Sequence, residues 1–230
     1  MNNQSKVVTT GDGSNTLYDT ITGEHYHSLY GAVSESLHVF IKAGLSQFLV
    51  DIKEISILEI GFGTGLNTLL SFQSCKGRAI VYYEAVDCYP LAPEDAIALN
   101  YWTHSDLEGL KSVIEHIHLS EWNKNVLLSE DFTLFKRCCR IEEYIPENEV
   151  FNLIYFDAFS PSVQPELWTE EVFRRLYHSL KSGGLLVTYS SRGTVKQALR
   201  AAGFSLERLQ GPMGKRHMLR ATKAKLQPER

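Results

Sequence analysis

The sequence has little of what marks metal, disulfide or membrane proteins. Its four cysteines, Cys75, Cys88, Cys138 and Cys139, show neither C-x-x-C spacing nor a nearby histidine pattern, so no metal is expected and the thiols read as reduced. The adjacent Cys138-Cys139 reads as a helical pair with one member buried. No apolar stretch approaches the roughly 18 residues needed to cross a bilayer. The polar start, Met1 to Lys6, lacks the apolar core of a signal peptide. A cytoplasmic protein with no membrane partner is expected. No repeat, low-complexity tract or linker interrupts the chain. At 230 residues, 43% hydrophobic and 22% charged, it fits one α/β domain spanning 1–230 with its own core.

The most informative tract is Glu59-Ile60-Gly61-Phe62-Gly63-Thr64-Gly65-Leu66-Asn67. Ile55, Ile57, Leu58 and Ile60 read as a buried strand, the glycines as a tight turn, and Leu66 to Phe72 as a helix start. Glycines admit a ligand close to the backbone, and the helix N-terminus offers unpaired N–H groups. Asp87 follows Gly65 by 22 residues, at the end of the apolar run Ile80 to Val86, where dinucleotide folds place the acidic residue that takes ribose hydroxyls. The spacing is G-x-G-x-G, which lacks the two-residue gap of the NAD fingerprint, and no Lys-Ser or Lys-Thr follows as a P-loop requires. A nucleoside-binding loop of the S-adenosylmethionine (SAM) type remains, with Glu59, Gly61, Gly63, Gly65, Asn67 and Asp87 as its candidate residues.

A second constellation, Tyr155-Phe156-Asp157-Ala158-Phe159-Ser160-Pro161, ends the apolar run Phe151 to Phe156. In open α/β sheets ligands sit beyond the carboxyl ends of the strands. Asp157 would therefore lie beside the glycine loop as a carboxylate for an incoming amine, or else cap the helix after Pro165. Asp131, after the run at 126–128, is similarly read as an acceptor for an adenine amino group, or as the N-cap of a helix from Phe132 to Arg140. Charge is uneven. From Lys181 onward eleven Lys and Arg face only Glu207 and Glu229, a balance of +9, while the first 180 residues carry twelve basic and 25 acidic residues, −13. Such asymmetry suits a polyanion-binding face or a solvated basic tail.

Strands are expected near 55–60, 80–86, 126–128, 151–156 and 185–189, with helices between them, the pattern of a parallel sheet covered on both faces. An N-terminal extension over 1–50 ends in a helix around Leu37 to Leu45. Residues 90–123, with Trp102 and Trp122, read as a helical insertion, a lid or substrate platform. Two short apolar runs, Ser205 to Leu209 and His217 to Ala221, flank Gly211-Pro212-Met213-Gly214 as a hairpin. The expected class is an α/β Rossmann-like, mostly parallel sheet with a C-terminal antiparallel hairpin and a helical insertion.

These residues resemble a known family. Asp12-Gly13-Ser14-Asn15-Thr16-Leu17-Tyr18, Gly23-Glu24-His25-Tyr26-His27-Ser28, Gly31-Ala32 and Glu35-Ser36 look like the N-terminal signature of the tRNA 5-methylaminomethyl-2-thiouridine methyltransferases. These are the methyltransferase half of bifunctional MnmC, or MnmD when free-standing. Gly61 to Asn67, Asp87-Cys88-Tyr89-Pro90-Leu91, Phe156 to Pro161 with Gln164 to Trp168, and Gly214-Lys215-Arg216-His217-Met218-Leu219-Arg220 resemble the later blocks in order, from about Thr10 to Ala221. Asp87 stands where Glu is expected and Ala158 where Gly is common. The resemblance implies methyl transfer from SAM to the primary amine of 5-aminomethyl-2-thiouridine at the tRNA wobble position. Asp157 is the catalytic candidate, Tyr26 and His27 would close the pocket, and Lys215, Arg216 and Arg220 would meet tRNA phosphates. With no second glycine fingerprint and no room for an oxidase domain, the aminomethyl group is expected from other enzymes. The rival readings are a spermidine-synthase-like aminopropyltransferase, a small-amine methyltransferase and a catalytically inactive RNA-binding scaffold. The oligomeric state is open, and a monomer is compatible with the sequence.

Overall fold

Runs that are apolar on both sides become central parallel strands, because both sheet faces are covered. The structure, a computed structural model, describes residues 5–225; residues 1–4 of the polar start, and Glu229 and Arg230 of the basic tract, lie outside the described residues. A small hairpin of β1 (Ser5–Thr9) and β2 (Asn15–Asp19) leads into α1 (Ala32–Ser36), which continues as a wider π-helical segment, Leu37–Lys42. The Rossmann-like core follows: β3 (Glu54–Ile60), α2 (Leu66–Cys75), β4 (Ile80–Asp87), α3 (Pro93–Ile97), α4 (Lys111–Leu119), β5 (Asn125–Ser129), β6 (Phe132–Cys138), β7 (Phe151–Phe156), α5 (Glu170–Ser179), β8 (Leu180–Thr188), α6 (Gly193–Ala201), β9 (Ser205–Gln210) and β10 (His217–Thr222). The eight-stranded sheet runs β5-β6-β4-β3-β7-β8-β10-β9. β6, β4, β3, β7 and β8 are mutually parallel, and β5, β10 and β9 add antiparallel edges.

Alternate residues of β3 and β7 divide between two cores. Ile55, Ile57, Leu153 and Tyr155 face α2, α4 and the N-terminal segment, where Phe40, Leu69 and Ile117 are buried. Leu58, Ile60, Ile154 and Phe156 face α5 and α6, against Phe173, Leu176 and Leu199. Among the described residues no helix is long and apolar enough to cross a membrane.

Two local expectations are corrected. Phe132 to Arg140 is not helical: Phe132–Cys138 is the strand that pairs parallel to β4, and the run at 126–128 lies in its antiparallel edge partner β5. The buried residues of β6 alternate as Phe132, Leu134 and Lys136, and a lysine on the inner face hides the period of two. The Cys138-Cys139 pair consequently sits at a strand end, Cys138 exposed and Cys139 half-buried. The 90–123 segment holds α3 and α4, and none of its residues lines the large cavity at the carboxyl ends of the strands. It packs against the glycine turn, with Trp122 edge-on to Phe62 at 5.6 Å.

Lys136 holds that packing together. Its side chain is 1% exposed, its ammonium donates to the carbonyls of Ile117 (2.7 Å) and His118 (3.2 Å) at the end of α4, and it faces the rings of Phe62 and Trp122. Cations at a helix C-terminus satisfy carbonyls that have no partner within the helix. Burial without a carboxylate partner pulls its pKa down to about 8. Replacing Lys136 with Ala removes the buried stem and both ammonium hydrogen bonds, leaving the Ile117 carbonyl to Ser120 Oγ and the His118 carbonyl without its lysine donor. A loss of about 2 kcal/mol or more is expected, read by urea denaturation, with faster amide exchange in α4.

Candidate active site

A cavity of about 680 Å³ opens at the carboxyl ends of β3, β4, β7 and β8, a volume in the usual range for a small-molecule site. The glycine turn lines part of it. Gly61 has φ +91°, and a Cβ there would meet the Asp157 carbonyl at 2.6 Å; only glycine lets the β3 and β7 loops approach so closely. The Gly63 N–H donates to Asp87 Oδ2 and the Tyr89 N–H to Asp87 Oδ1, both at 2.9 Å. Burial pushes the Asp87 carboxyl up, and these backbone hydrogen bonds oppose it. Tyr101 donates to Thr64 Oγ1 (3.0 Å) and His118 Nε2 to the Thr64 carbonyl (2.9 Å), bracing the turn from the insertion.

Next to Gly61, at the end of β7, stands Asp157. The Asn67 amide donates to Asp157 Oδ2 (2.8 Å) and to Glu59 Oε1 (2.9 Å). Glu59 is fully buried and also accepts from Tyr83 (2.8 Å) and Thr68 (3.2 Å). Burial raises its pKa to about 8, with these three hydrogen bonds pulling the other way. Glu59, Gly65 and Asn67 lie outside the cavity lining; they hold Asp157 and the turn from beneath. Thr169, not Asp157, caps α5. Burial holds the Asp157 carboxyl well above the usual carboxylate range. The charges of Glu35 and Glu59 push the same way, and Asn67 and Lys215 oppose them.

The N-terminal segment roofs the cavity. Tyr26 lies where a Cβ on Gly63 would touch its ring at 3.2 Å, and it meets Phe159 edge-on at 5.0 Å. Glu24 Oε1 accepts from Ser160 Oγ at 2.5 Å. His27 lines the cavity beside Thr16, whose hydroxyl accepts from the His27 N–H (3.0 Å). Burial lowers its imidazole pKa to about 4, so the ring stays neutral at physiological pH.

The structure brings Tyr26, His27, Gly61, Gly63, Asp87, Asp157, Lys215 and Arg216 to one cavity. It does not bring Asp131 or Arg220. Asp131 sits in the β5–β6 turn, its carbonyl accepting from Val81 N–H near the amino end of β4, the end of the strand away from Asp87. Its carboxylate takes Gly77 N–H (3.1 Å) and Ser129 Oγ. Arg220 is spent on Glu207 (2.6 Å) and the Ala43 carbonyl (3.3 Å). Lys215 points inward, 2.6 Å from Glu35 Oε1. Nor do the C-terminal cations among the described residues form one face: Arg192 and Arg216 are exposed at the cavity, whereas Lys181 and Lys223 bind Asn152 and the Leu180 carbonyl near the start of β8.

Sequence reasoning missed Glu35 and Tyr189. Glu35 was visible within the N-terminal signature, but its partner Lys215 lies 180 residues away, beyond any local pattern.

The chemistry of the residues fits a nucleoside ligand. A half-buried carboxylate at a strand end, glycines that let a ligand approach the backbone, and a flanking aromatic suit a ribose and its adjoining groups. The comparisons agree. Residues 109–224 match the family model described as S-adenosyl-L-methionine-dependent methyltransferase. The chain is 30% identical over 220 residues to the tRNA 5-methylaminomethyl-2-thiouridine biosynthesis bifunctional protein MnmC of Burkholderia multivorans, covering 89% of this chain and 33% of that protein. The Legionella pneumophila protein of the same name is 30% identical over 84% of this chain and 33% of its own length. The chain thus spans about a third of these curated relatives. The crystal structure of MnmC2 from Aquifex aeolicus superposes with a TM-score of 0.77 at 26% identity, covering 98% of this chain and 73% of that one. With its glycine turn, strand-end Asp87 and parallel sheet, the chain belongs to the S-adenosyl-L-methionine-dependent methyltransferase family.

Proposed function

We propose that this protein methylates the primary amine of 5-aminomethyl-2-thiouridine at the wobble position of tRNA, using SAM. One observation carries this reading: a single cavity is lined by the glycine turn, Asp87 and the carboxyl groups of Asp157 and Glu35. The names of the MnmC relatives, whose length the chain covers only in part, supply the substrate class. Aminopropyl transfer to a polyamine would use the same carboxylates, and those names favour the nucleoside amine.

In this reading Asp87 holds the ribose hydroxyls, Gly61 and Gly63 the backbone-facing edge of the cofactor, and Tyr26 closes over it. SAM supplies an electrophilic methyl group on a sulfonium. The protein therefore has to align a neutral amine with it and exclude water. An alkylamine such as Lys titrates near 10.4 in water. A low-dielectric cavity lowers that value and raises a carboxyl's. Asp157, raised by burial and by Glu35 and Glu59, is a stronger proton acceptor than an exposed carboxylate, the direction that general base catalysis requires. The wobble base has to leave the anticodon loop to reach Asp157, and exposed Arg192 and Arg216 stand at the rim to meet phosphates.

Mass analysis of nucleosides from tRNA carrying 5-aminomethyl-2-thiouridine, after incubation with SAM, tests the activity; the methylaminomethyl product is expected, and an unchanged tRNA refutes it. Asp157→Asn keeps shape and loses the anionic acceptor, so single-turnover methylation should fall at least a hundredfold with SAM affinity within twofold. For Asp87→Ala, calorimetry should find SAM binding weakened by about 1.5 to 3 kcal/mol, roughly ten- to a hundredfold. Converting Arg192 and Arg216 together to Gln should weaken tRNA binding and flatten its log affinity against log salt by about 0.7 to 0.9 per phosphate contact; an unchanged slope would move the tRNA surface elsewhere.

A further inference from the structure

We propose that Glu35 and the face of Tyr189 form the cation-binding half of the amine site, and that Lys215 is a resident cation which the substrate's aminomethyl group displaces. The inference rests on the amine-methylation reading above. The ammonium of Lys215 lies 2.6 Å from Glu35 Oε1 and 4.0 Å from the centroid of the Tyr189 ring. A carboxylate beside an aromatic face is the pairing that holds an alkylammonium, through a charge-assisted hydrogen bond and a cation–π contact.

The box is braced by backbone contacts. The Ser28 N–H donates to Glu35 Oε2 at 2.8 Å, Glu35 is almost wholly buried, and Tyr189 donates its hydroxyl to the Ala158 carbonyl at 2.9 Å, one residue from Asp157. All four side chains, Glu35, Asp157, Tyr189 and Lys215, line the same cavity. Lys215 opposes the rise that burial and Glu35 impose on the Asp157 carboxyl, the group proposed to take the amine proton.

A lysine tip and an aminomethyl substituent end in the same group, CH2–NH3+, so a box that accepts one accepts the other. Exchange also conserves charge, one monovalent cation replacing another between Glu35 and Asp157. Lys215 has a way out. Its side chain is 35% exposed, it follows the turn at Gly214, and exposed Arg216 beside it marks the route to solvent.

The test is calorimetric binding of the free nucleoside 5-aminomethyl-2-thiouridine, which carries no phosphate, to protein saturated with S-adenosylhomocysteine. Lys215→Met should tighten nucleoside binding at least threefold by removing the competitor. Lys215→Arg, which keeps a cation on Glu35 in a form held more firmly, should weaken it. Glu35→Gln should weaken it at least tenfold, and Tyr189→Leu several-fold. Melting curves and S-adenosylhomocysteine affinity identify any variant that misfolds; the two Lys215 variants, with opposite expected signs, carry the test if Glu35→Gln does. Unchanged or weakened binding by Lys215→Met overturns the proposal. Should wild-type protein methylate tRNA while the Lys215 variants bind nucleoside unchanged, only this inference fails. If wild-type protein leaves aminomethyl tRNA unmodified, the functional reading itself fails.

Discussion

The site depends on one buried amide. Asn67, at the first turn of α2, donates to Glu59 on β3 and to Asp157 after β7. A carboxyl group buried without hydrogen bonds is costly, and Glu59 avoids that cost through Asn67, Thr68 and Tyr83. Those donors come from α2 and β4, so the carboxyl that stabilises the start of α2 also fixes where Asp157 can stand. The left-handed backbone at Gly61 and Gly65 sets the geometry, because it turns the chain from β3 into α2 within a few residues.

Above that amide the cavity divides by chemistry. Asp87 and its backbone donors are suited to hydroxyl groups. Asp157, with Glu35, Lys215 and Tyr189, is suited to an ammonium. The N-terminal segment spans both, with Tyr26 over Gly63 and Glu24 tied to Ser160. The insertion works from the far side, where Tyr101 and His118 grip Thr64 and Lys136 anchors α4.

Much of this was legible in the sequence. The runs of β3, β4, β7 and β8, the glycine turn, Asp87 and the C-terminal hairpin all follow from apolar runs and turn residues, and the resemblance to the MnmC methyltransferase half agrees with the relatives' identity. β6 was hidden because Lys136 occupies an inward position that a strand pattern reserves for an apolar side chain. Asp131 was misplaced for the same reason: with β6 read as a helix, the turn before it fell at the cofactor end of the sheet instead of the opposite one. Glu35 and Lys215 meet only through the tertiary fold, and no spacing rule joins residues 180 positions apart. The basic C-terminal tract misled in another way, since one-dimensional charge counting cannot tell Arg216 at the cavity mouth from Lys223 tied to the Leu180 carbonyl.

The central claim is that Asn67 and Asp157 act as one unit. A double-mutant cycle on single-turnover methyl transfer tests it most directly, using Asn67→Ala, Asp157→Asn and the pair. If the amide works by holding the carboxyl, Asn67→Ala alone should slow transfer at least about twentyfold and the double variant should be no more than about threefold slower than the slower single variant, a coupling of at least about 1 kcal/mol. Rate losses that simply multiply would show that the two residues act independently and would contradict the account.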